Sequence, residues 1–276
     1  MLGELSMTIS SYNEFVEIVK SSCFYGNSYE GDQPALFFRG QSNVEWRIEP
    51  SISRQASKIQ KSEREILSKI LPLKDSRSLF SEISYIQHYK DKTRFIDFTT
   101  DYKVALFFAC RDIMNRKEED AEKDGAVFIV PYAPHQSNWK TSKMLVNLLS
   151  INEDSEISIY DVIRKYPALQ NDYPNLSSAC SALKSFLENG FMVLPDEQDK
   201  ENNLRIQRQK GCFYVCGMEI CRNTPFPEST TFKPFSISTP WLKTEKVKKI
   251  IIPYSVKKEI MDVLSKENIT EEFLLS

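Results

Sequence analysis

The segment TTDYKVALFFACRDIM, residues 99–114, constrains the fold more than any other part of the sequence. It begins with Thr and Asp residues, which are favoured at helix N-caps, and then runs apolar on nearly all sides. A surface helix would carry only one apolar stripe, so this pattern predicts a buried helix. The preceding RFID, residues 94–97, predicts a brief strand that leads into it.

Strand and helix patterns along the rest of the chain predict an α+β fold. Strands are expected at ALFF (35–38), GAVFIVPY (125–132), LRIQRQKGCFYVCG (204–217, with a turn or bulge near Gly211) and KVKKIIIPY (246–254). Helices are expected at 11–22, from Ser62 to about Pro72, at 79–90 and at 255–268. Three more are expected at 142–150, 157–166 and 176–190, the last closed by Gly190.

These elements suggest one domain over residues 1–276. It consists of an N-terminal helix (11–22), a core formed by 34–133 and 200–276, and a helical insertion at about 140–190. The core is expected to be a small mixed or antiparallel β-sheet flanked by helices. A length of 276 residues allows a sizeable hydrophobic core.

Composition excludes several functional classes. Lys and Arg total 36 against 38 Asp and Glu, so a general polyanion-binding surface is not implied, although a local basic pocket remains open. No apolar run reaches the roughly 20 residues that span a bilayer. The N-terminus has no basic region typical of a secretion signal, and the six cysteines are scattered without CxxC pairs. We therefore expect a cytoplasmic protein with reduced thiols and no membrane partner.

Common catalytic motifs are missing from the sequence. It contains no HExxH, GxSxG, Walker A or GxGxxG pattern. Cys212, Cys216 and Cys221 lie close together but lack the paired spacing of zinc knuckles, so small buried side chains are the default interpretation. Asp97 and Asp101 permit a metal-dependent nuclease as an alternative, although Asp101 is also placed to cap the following helix.

Arg39 ends the predicted strand ALFF and is followed at once by Gly40. An arginine held at a strand end can bind a phosphate or carboxylate with its planar fork, or it can form a structural ion pair. Similar polar residues border short apolar runs in two later segments, residues 86–109 and 205–213. Polar groups against a core need partners, so these residues either satisfy one another or face a ligand.

The chain resembles the FRG-domain family through three ordered motifs. The first is Phe38-Arg39-Gly40, which is the tripeptide that names the family. The second comprises Gln87-His88-Tyr89, Thr93-Arg94, Asp97, Thr99 and Ala105-Leu106-Phe107-Phe108-Ala109; the third comprises Arg205-Ile206, Gln209, Gly211 and Phe213. Lys90, Asp91 and Lys92 depart from the family pattern, which makes that loop more polar.

A more distant similarity to arginine-class ADP-ribosyltransferases implies a fold and a function. It implies an ADP-ribosyltransferase-like core that handles NAD as a substrate, with a protein or nucleic-acid acceptor, in an effector of bacterial defence or of a toxin system. The implied catalytic residues are Arg39 on the pyrophosphate, Thr99 at the nicotinamide pocket and Gln209 on the ribose. The implied cofactor contacts are Arg39, Gly40, Gln41, His88, Tyr89, Arg94 and Thr100.

Simpler roles stay open for each of these residues. Arg94 and Asp97 can pair with each other, and His88 can be a core histidine. Thr99, Thr100 and Asp101 can cap the following helix, while Gln209 can bond a neighbouring strand. A non-catalytic module that binds a nucleotide or a nucleic-acid end is the main functional alternative.

Overall fold

A computed structural model describes residues 6–23, 35–52, 93–111, 122–132, 135–136, 155–171, 173–239 and 247–276. Its helices are α1 Tyr12–Cys23, α2 Tyr102–Cys110, α3 Ile159–Lys165, α4 Leu176–Asn189, α5 Glu197–Asn202, α6 Leu204–Arg208, α7 Tyr254–Lys266 and α8 Glu271–Leu275. Its strands are β1 Ser6–Thr8, β2 Ala35–Gln41, β3 Phe95–Thr99, β4 Gly125–Tyr132, β5 His135–Gln136, β6 Ile157–Ser158, β7 Phe191–Leu194, β8 Gly211–Val215, β9 Gly217–Arg222, β10 Thr231–Ser238 and β11 Lys248–Ile252. The protein is therefore α+β, as predicted.

An eight-stranded mixed sheet forms the centre of the molecule, in the order β1-β11-β4-β2-β3-β8-β7-β5. The outermost pairs, β1 with β11 and β5 with β7, are parallel, and the pairs between them are antiparallel. A second sheet, β6-β10-β9, has three strands. The strand that carries Arg39, β2, therefore lies in the middle of the large sheet, between β4 and β3.

The large sheet buries side chains on both faces. One face carries Phe38, Val127 and Ile129 under helices α1, α2 and α7, and it continues as Phe95, Phe213 and Val215 under α3 and α4. We call this the helix-covered face. The other carries Phe37, Ile96, Phe98, Phe128, Val130, Met192, Cys212 and Tyr214. We call it the Arg39 face, because alternation along β2 places Arg39 on the same side as Phe37.

Several sequence predictions are confirmed. Helix α2 is buried through six of its nine residues, and Asp101 caps it, its Oδ1 accepting from the Lys103 amide at 2.9 Å. Helix α4 ends at Gly190, which has the positive φ of 61° that glycine tolerates. Strands β3, β4 and β11 and helices α1 and α7 lie where the sequence patterns placed them.

Two predictions about local structure are wrong. The strand predicted at ALFF does not stop at Arg39. Strand β2 continues through Gly40 to Gln41, and all seven of its residues pair with β4. The segment 204–217 is not one strand either. Residues Leu204–Arg208 form helix α6, capped by the Asn203 side chain, and the strand begins only at Gly211. Leu204 and Ile206 would share one face of a strand, but Ile206 is buried and Leu204 is exposed, as the helical conformation requires.

Other predictions concern parts of the chain that the structure does not describe. The helices expected from Ser62 to Pro72, at 79–90 and at 142–150 lie outside the described residues. Within the described part of 140–190, helices α3 and α4 are present as expected, together with strand β6 of the small sheet. The division into a core and a helical insertion stays a prediction. No helix among the described residues has the length and apolar character needed to cross a membrane.

Candidate functional site

Arg39 lies in the middle of the sheet, half-buried on the Arg39 face. Strands β2 and β3 pair only at Phe38 and Thr99, whereas β2 pairs with β4 along its whole length. Beyond that single pair, the Nη1 atom of Arg39 donates to the backbone oxygen of Asp97 at 2.6 Å. The guanidinium therefore bridges the two strands where their backbone pairing ends.

Gly40 is required by helix packing, which is not the role that the sequence suggested. A Cβ atom at this position would lie 1.8 Å from the backbone oxygen of Ala105 and 2.9 Å from the amide nitrogen of Ala109. Both atoms belong to α2, so helix α2 packs directly on the backbone of β2. The glycine lets the helix approach the strand on the face opposite to Arg39.

Three consecutive polar residues, Gln41, Ser42 and Asn43, are each no more than 6% exposed. The Nε2 atom of Gln41 donates to the backbone oxygen of Arg47 at 3.3 Å, and Oδ1 of Asn43 accepts from the Glu45 amide at 2.9 Å. The Oε1 atom of Gln41 is buried without a hydrogen-bond donor. Since buried acceptors are normally paired, this atom has an unused capacity to accept a hydrogen bond.

Thr99 and Gln209, distant in sequence, are in direct contact. The Thr99 hydroxyl donates to the backbone oxygen of Gln209 at 2.7 Å and accepts from the Asp101 amide at 3.0 Å. Thr99 lies opposite Phe38, and opposed residues of antiparallel strands share a face. It therefore projects from the helix-covered face, away from the side that carries Arg39.

The polar side chains of the third motif hold the C-terminal helix. The Nε2 atom of Gln209 donates to the backbone oxygen of Leu274 at 3.0 Å, and Nη2 of Arg205 donates to that of Leu275 at 3.0 Å. Arg208 donates to the backbone oxygen of Ser276 at 2.8 Å. These contacts satisfy carbonyls at the end of α8 that have no partner within the helix.

The remaining predicted site residues are dispersed. Arg94 is 1% exposed, and its Nη1 lies 3.4 Å from the backbone oxygen of Cys216. Thr100 is exposed, and its hydroxyl makes a long contact of 3.4 Å to the backbone oxygen of Lys210. Phe38, the first residue of the Phe-Arg-Gly motif, is buried against Tyr102 with 6.2 Å between ring centroids. His88 and Tyr89 lie outside the described residues.

Asp101 is committed to the fold. Besides capping α2, its Oδ2 accepts from the Lys210 ammonium at 2.8 Å. In the part of the chain that the structure describes, no three His, Cys, Asp or Glu side chains are arranged to hold a metal ion. Cys212 and Cys216 are buried and form no disulfide, and burial, together with the nearby Asp97 carboxylate, raises the pKa of the Cys212 thiol well above its usual value. A neutral thiol of this kind is a poor metal ligand.

A cleft of about 430 Å³ opens where β3 and β7 end and β8 begins. Leu194, Pro195 and Ile206 supply its apolar lining, and Thr100 reaches it from the end of β3. Two lysines at its rim are already paired, Lys200 with Glu197 at 2.6 Å and Lys210 with Asp101 at 2.8 Å. Of the predicted site residues, Thr100 is thus placed at this cleft.

The structure therefore separates the residues predicted to be catalytic. Arg39 and Gln41 share the Arg39 face, and Thr99 and Gln209 meet on the opposite side. Sequence reasoning missed Arg208, which holds α8, and Lys257, which is 2% exposed and donates to the backbone oxygen of Ser42 at 2.9 Å. In the sequence, Lys257 stands among four charged residues near the start of a helix, which gave no sign that it is buried.

Fold and site together define an α+β protein in which a central strand carries a half-buried arginine. Residues 34–119, about a third of the chain, match the family model of the FRG domain. The chain therefore contains an FRG domain, and the main resemblance seen in its sequence is confirmed. No protein with curated annotation and no solved structure gives a significant match to the chain.

Proposed function

We propose that the protein binds NAD by its diphosphate at Arg39 and cleaves the bond between nicotinamide and ribose. Nicotinamide leaves with the bonding electron pair, and the ribose carbon forms a new bond to an oxygen of water or to a nucleophile of an acceptor. The attacking group loses its proton. The same proposal includes a role as an effector in bacterial defence or in a toxin system, where such cleavage would deplete NAD or modify a target.

One observation carries the binding part of this proposal: Arg39 and the unsatisfied acceptor of Gln41 lie on one face of the same strand. Two strand residues span about 6.6 Å, a distance within reach of a single nucleotide ligand. Arg39 is half-buried, and its guanidinium can form a charge-assisted pair of hydrogen bonds with a phosphate. The Oε1 atom of Gln41 can accept a hydrogen bond from a hydroxyl or amino group of that ligand.

The distant similarity to arginine-class ADP-ribosyltransferases supports NAD as the ligand, but the contacts of Thr99 and Gln209 support a structural role. The Thr99 hydroxyl and the Gln209 amide both bond backbone oxygens inside the fold. We therefore assign ligand binding to Arg39 and Gln41. His88 and Tyr89, which the resemblance implies for the same site, are proposed to act at the ribose and nicotinamide end.

Binding is tested by calorimetry with NAD, ADP-ribose, ADP and inorganic pyrophosphate. Loss of a charge-assisted contact is worth about 1.5–3 kcal/mol, so Arg39→Gln is expected to raise the Kd by about 10- to 100-fold. Arg222→Gln is the matched control, since Arg222 is an exposed arginine of β9 whose Nη2 makes one contact of 3.3 Å to the Ser229 backbone oxygen. Equal affinity of the wild type and Arg39→Gln for every ligand would contradict the proposal.

Turnover is tested separately by measuring nicotinamide release from NAD, with cell extract as a source of acceptors. We expect release by the wild type and by Arg222→Gln, and loss of release in Arg39→Gln, His88→Ala and Tyr89→Phe. Labelled NAD then distinguishes free ADP-ribose from a modified protein or nucleic acid. NAD binding without nicotinamide release would indicate a non-catalytic nucleotide-binding module and contradict the enzyme proposal.

A further inference from the structure

Lys257 is a buried cation that the proposed chemistry does not use. It lies near the start of α7, outside the segment that matches the FRG domain, and only 2% of its surface is exposed. Its Nζ donates to the backbone oxygen of Ser42 at 2.9 Å. Burying an ammonium group costs free energy, so a lysine that served only to pack the helix would lower the stability of the fold.

The contact of Lys257 is made at the end of the strand that carries Arg39. Ser42 directly follows Gln41, and both residues are buried. A carbonyl held by a charged donor is fixed more firmly than one held by a neutral donor. The contact therefore limits the movement of the backbone at the residue next to the unsatisfied Gln41 acceptor.

A second tie joins the same loop to the start of α7. The Val44 amide donates to the backbone oxygen of Asp124 at 2.8 Å, while Oδ1 of Asp124 accepts from the Tyr254 amide at 2.8 Å. The Gln41 side chain closes the loop by donating to the backbone oxygen of Arg47. Residues 41–47 are thus held against α7 through Lys257 and Asp124.

We infer that Lys257 is a positioning residue for the nucleotide site, holding the end of β2 so that Arg39 and Gln41 face one ligand. This inference rests on the proposed function and adds a residue from outside the FRG segment to the site. Lys257 acts through the Ser42 backbone and does not contact the ligand.

The variant Lys257→Met tests the inference, because methionine keeps most of the apolar stem and removes the charge and the donor. We expect the Kd for NAD to rise by about tenfold. Trp46 follows the fixed backbone and is 48% exposed, so it can report on the loop. With Trp139 and Trp241 replaced by Phe, Lys257→Met should increase the quenching of Trp46 fluorescence by acrylamide.

Ile260→Val is the matched control for a purely structural effect. Ile260 is fully buried in the same helix, among the apolar side chains under the sheet. Its truncation removes one buried methyl group and lowers stability without changing a polar contact. We expect unchanged NAD affinity and unchanged Trp46 quenching in this variant, even where its stability falls as much as that of Lys257→Met.

A measurement on the wild type applies even where Lys257→Met does not fold. In protein labelled with ¹⁵N-lysine, the signal of the buried Lys257 ammonium should shift when NAD binds. Suppose that the wild type binds NAD and that Arg39→Gln binds it more weakly, as the proposed function requires. If the Lys257 signal then does not shift, or if Lys257→Met keeps wild-type affinity, the inference is overturned and the proposed function stays intact. No wild-type binding to any nucleotide would overturn the proposed function itself.

Discussion

The hydroxyl of Thr99 donates to the backbone oxygen of Gln209 across 110 residues of sequence, at a distance of 2.7 Å. Through the same hydroxyl, Thr99 accepts from the amide of Asp101, the N-cap of α2. One side chain thus joins the second and third family-like motifs to the start of the central helix. Thr99 and Gln209, which resemble part of a catalytic set, therefore make contacts that stabilise the fold.

Replacement of Thr99 by valine is expected to lower the free energy of unfolding by about 1–3 kcal/mol. The valine keeps the β-branched shape but leaves the Gln209 oxygen and the Asp101 amide without this partner. Thr100→Val is the control, because Thr100 is exposed and its hydroxyl contact is 3.4 Å long. Urea denaturation measures both variants, and equal stability of the two would show that the Thr99 contacts contribute little.

The variant Gly40→Ala is expected to destabilise the protein by about 3 kcal/mol, because the new Cβ would overlap the Ala105 backbone oxygen. Relief of the overlap requires α2 to move away from β2. Gly211→Ala is the control, since its Cβ would meet nothing closer than 3.5 Å. Chemical denaturation should show a change below about 1 kcal/mol for that variant. A Gly40→Ala protein as stable as the wild type would contradict the close approach of helix and strand.

Gln209→Glu is expected to loosen helix α8. A carboxylate would replace the amide group that donates to the Leu274 oxygen, so attraction becomes repulsion. Hydrogen exchange should become at least about tenfold faster for the amide of Leu274, which bonds Thr270 inside the same helix. Gln207→Glu, an exposed position in α6, should leave this exchange unchanged. Faster NAD cleavage in Gln209→Glu with undisturbed exchange would instead favour a ribose-binding role for Gln209.

Stability should fall at alkaline pH through the buried thiol of Cys110. Burial raises the pKa of this thiol from 9.0 to about 12, so the folded protein keeps it neutral where the unfolded chain ionises it. The contribution is complete below pH 9 and is lost as the pH rises towards 12. The free energy of unfolding lost between pH 9 and pH 11 amounts to about 2–3 kcal/mol.

Denaturation under reducing conditions at pH 7 and pH 11 measures this loss of stability. Cys110→Ala should lose less stability over that interval than the wild type, whatever its stability at pH 7. Cys221→Ala is the control, because Cys221 is the exposed member among the free cysteines of the described chain. Parallel pH curves for the wild type and Cys110→Ala would exclude the thiol as the cause.

Local patterns in the sequence were sufficient for several features of the fold. The Asp101 cap, the apolar sequence of α2 and the closing Gly190 predicted helix boundaries because capping and helix ends depend on neighbouring residues. The Phe-Arg-Gly motif and the second motif lie within residues 34–119, where the family match confirms the resemblance, whereas the third motif lies outside this segment. These features depend on interactions over a few residues or on motif order.

Tertiary structure alone decided which predicted site residues meet. The sequence does not specify that β2 continues to Gln41 along β4, nor that Gly40 is the point where α2 packs on this strand. Nor does it specify that Phe38 lies opposite Thr99, which places Thr99 and Arg39 on different faces of the sheet. Strand register depends on partners far away in the chain, and a shift of one residue exchanges the two faces. The sequence determined the elements and the family, and long-range pairing determined which side chains share a site.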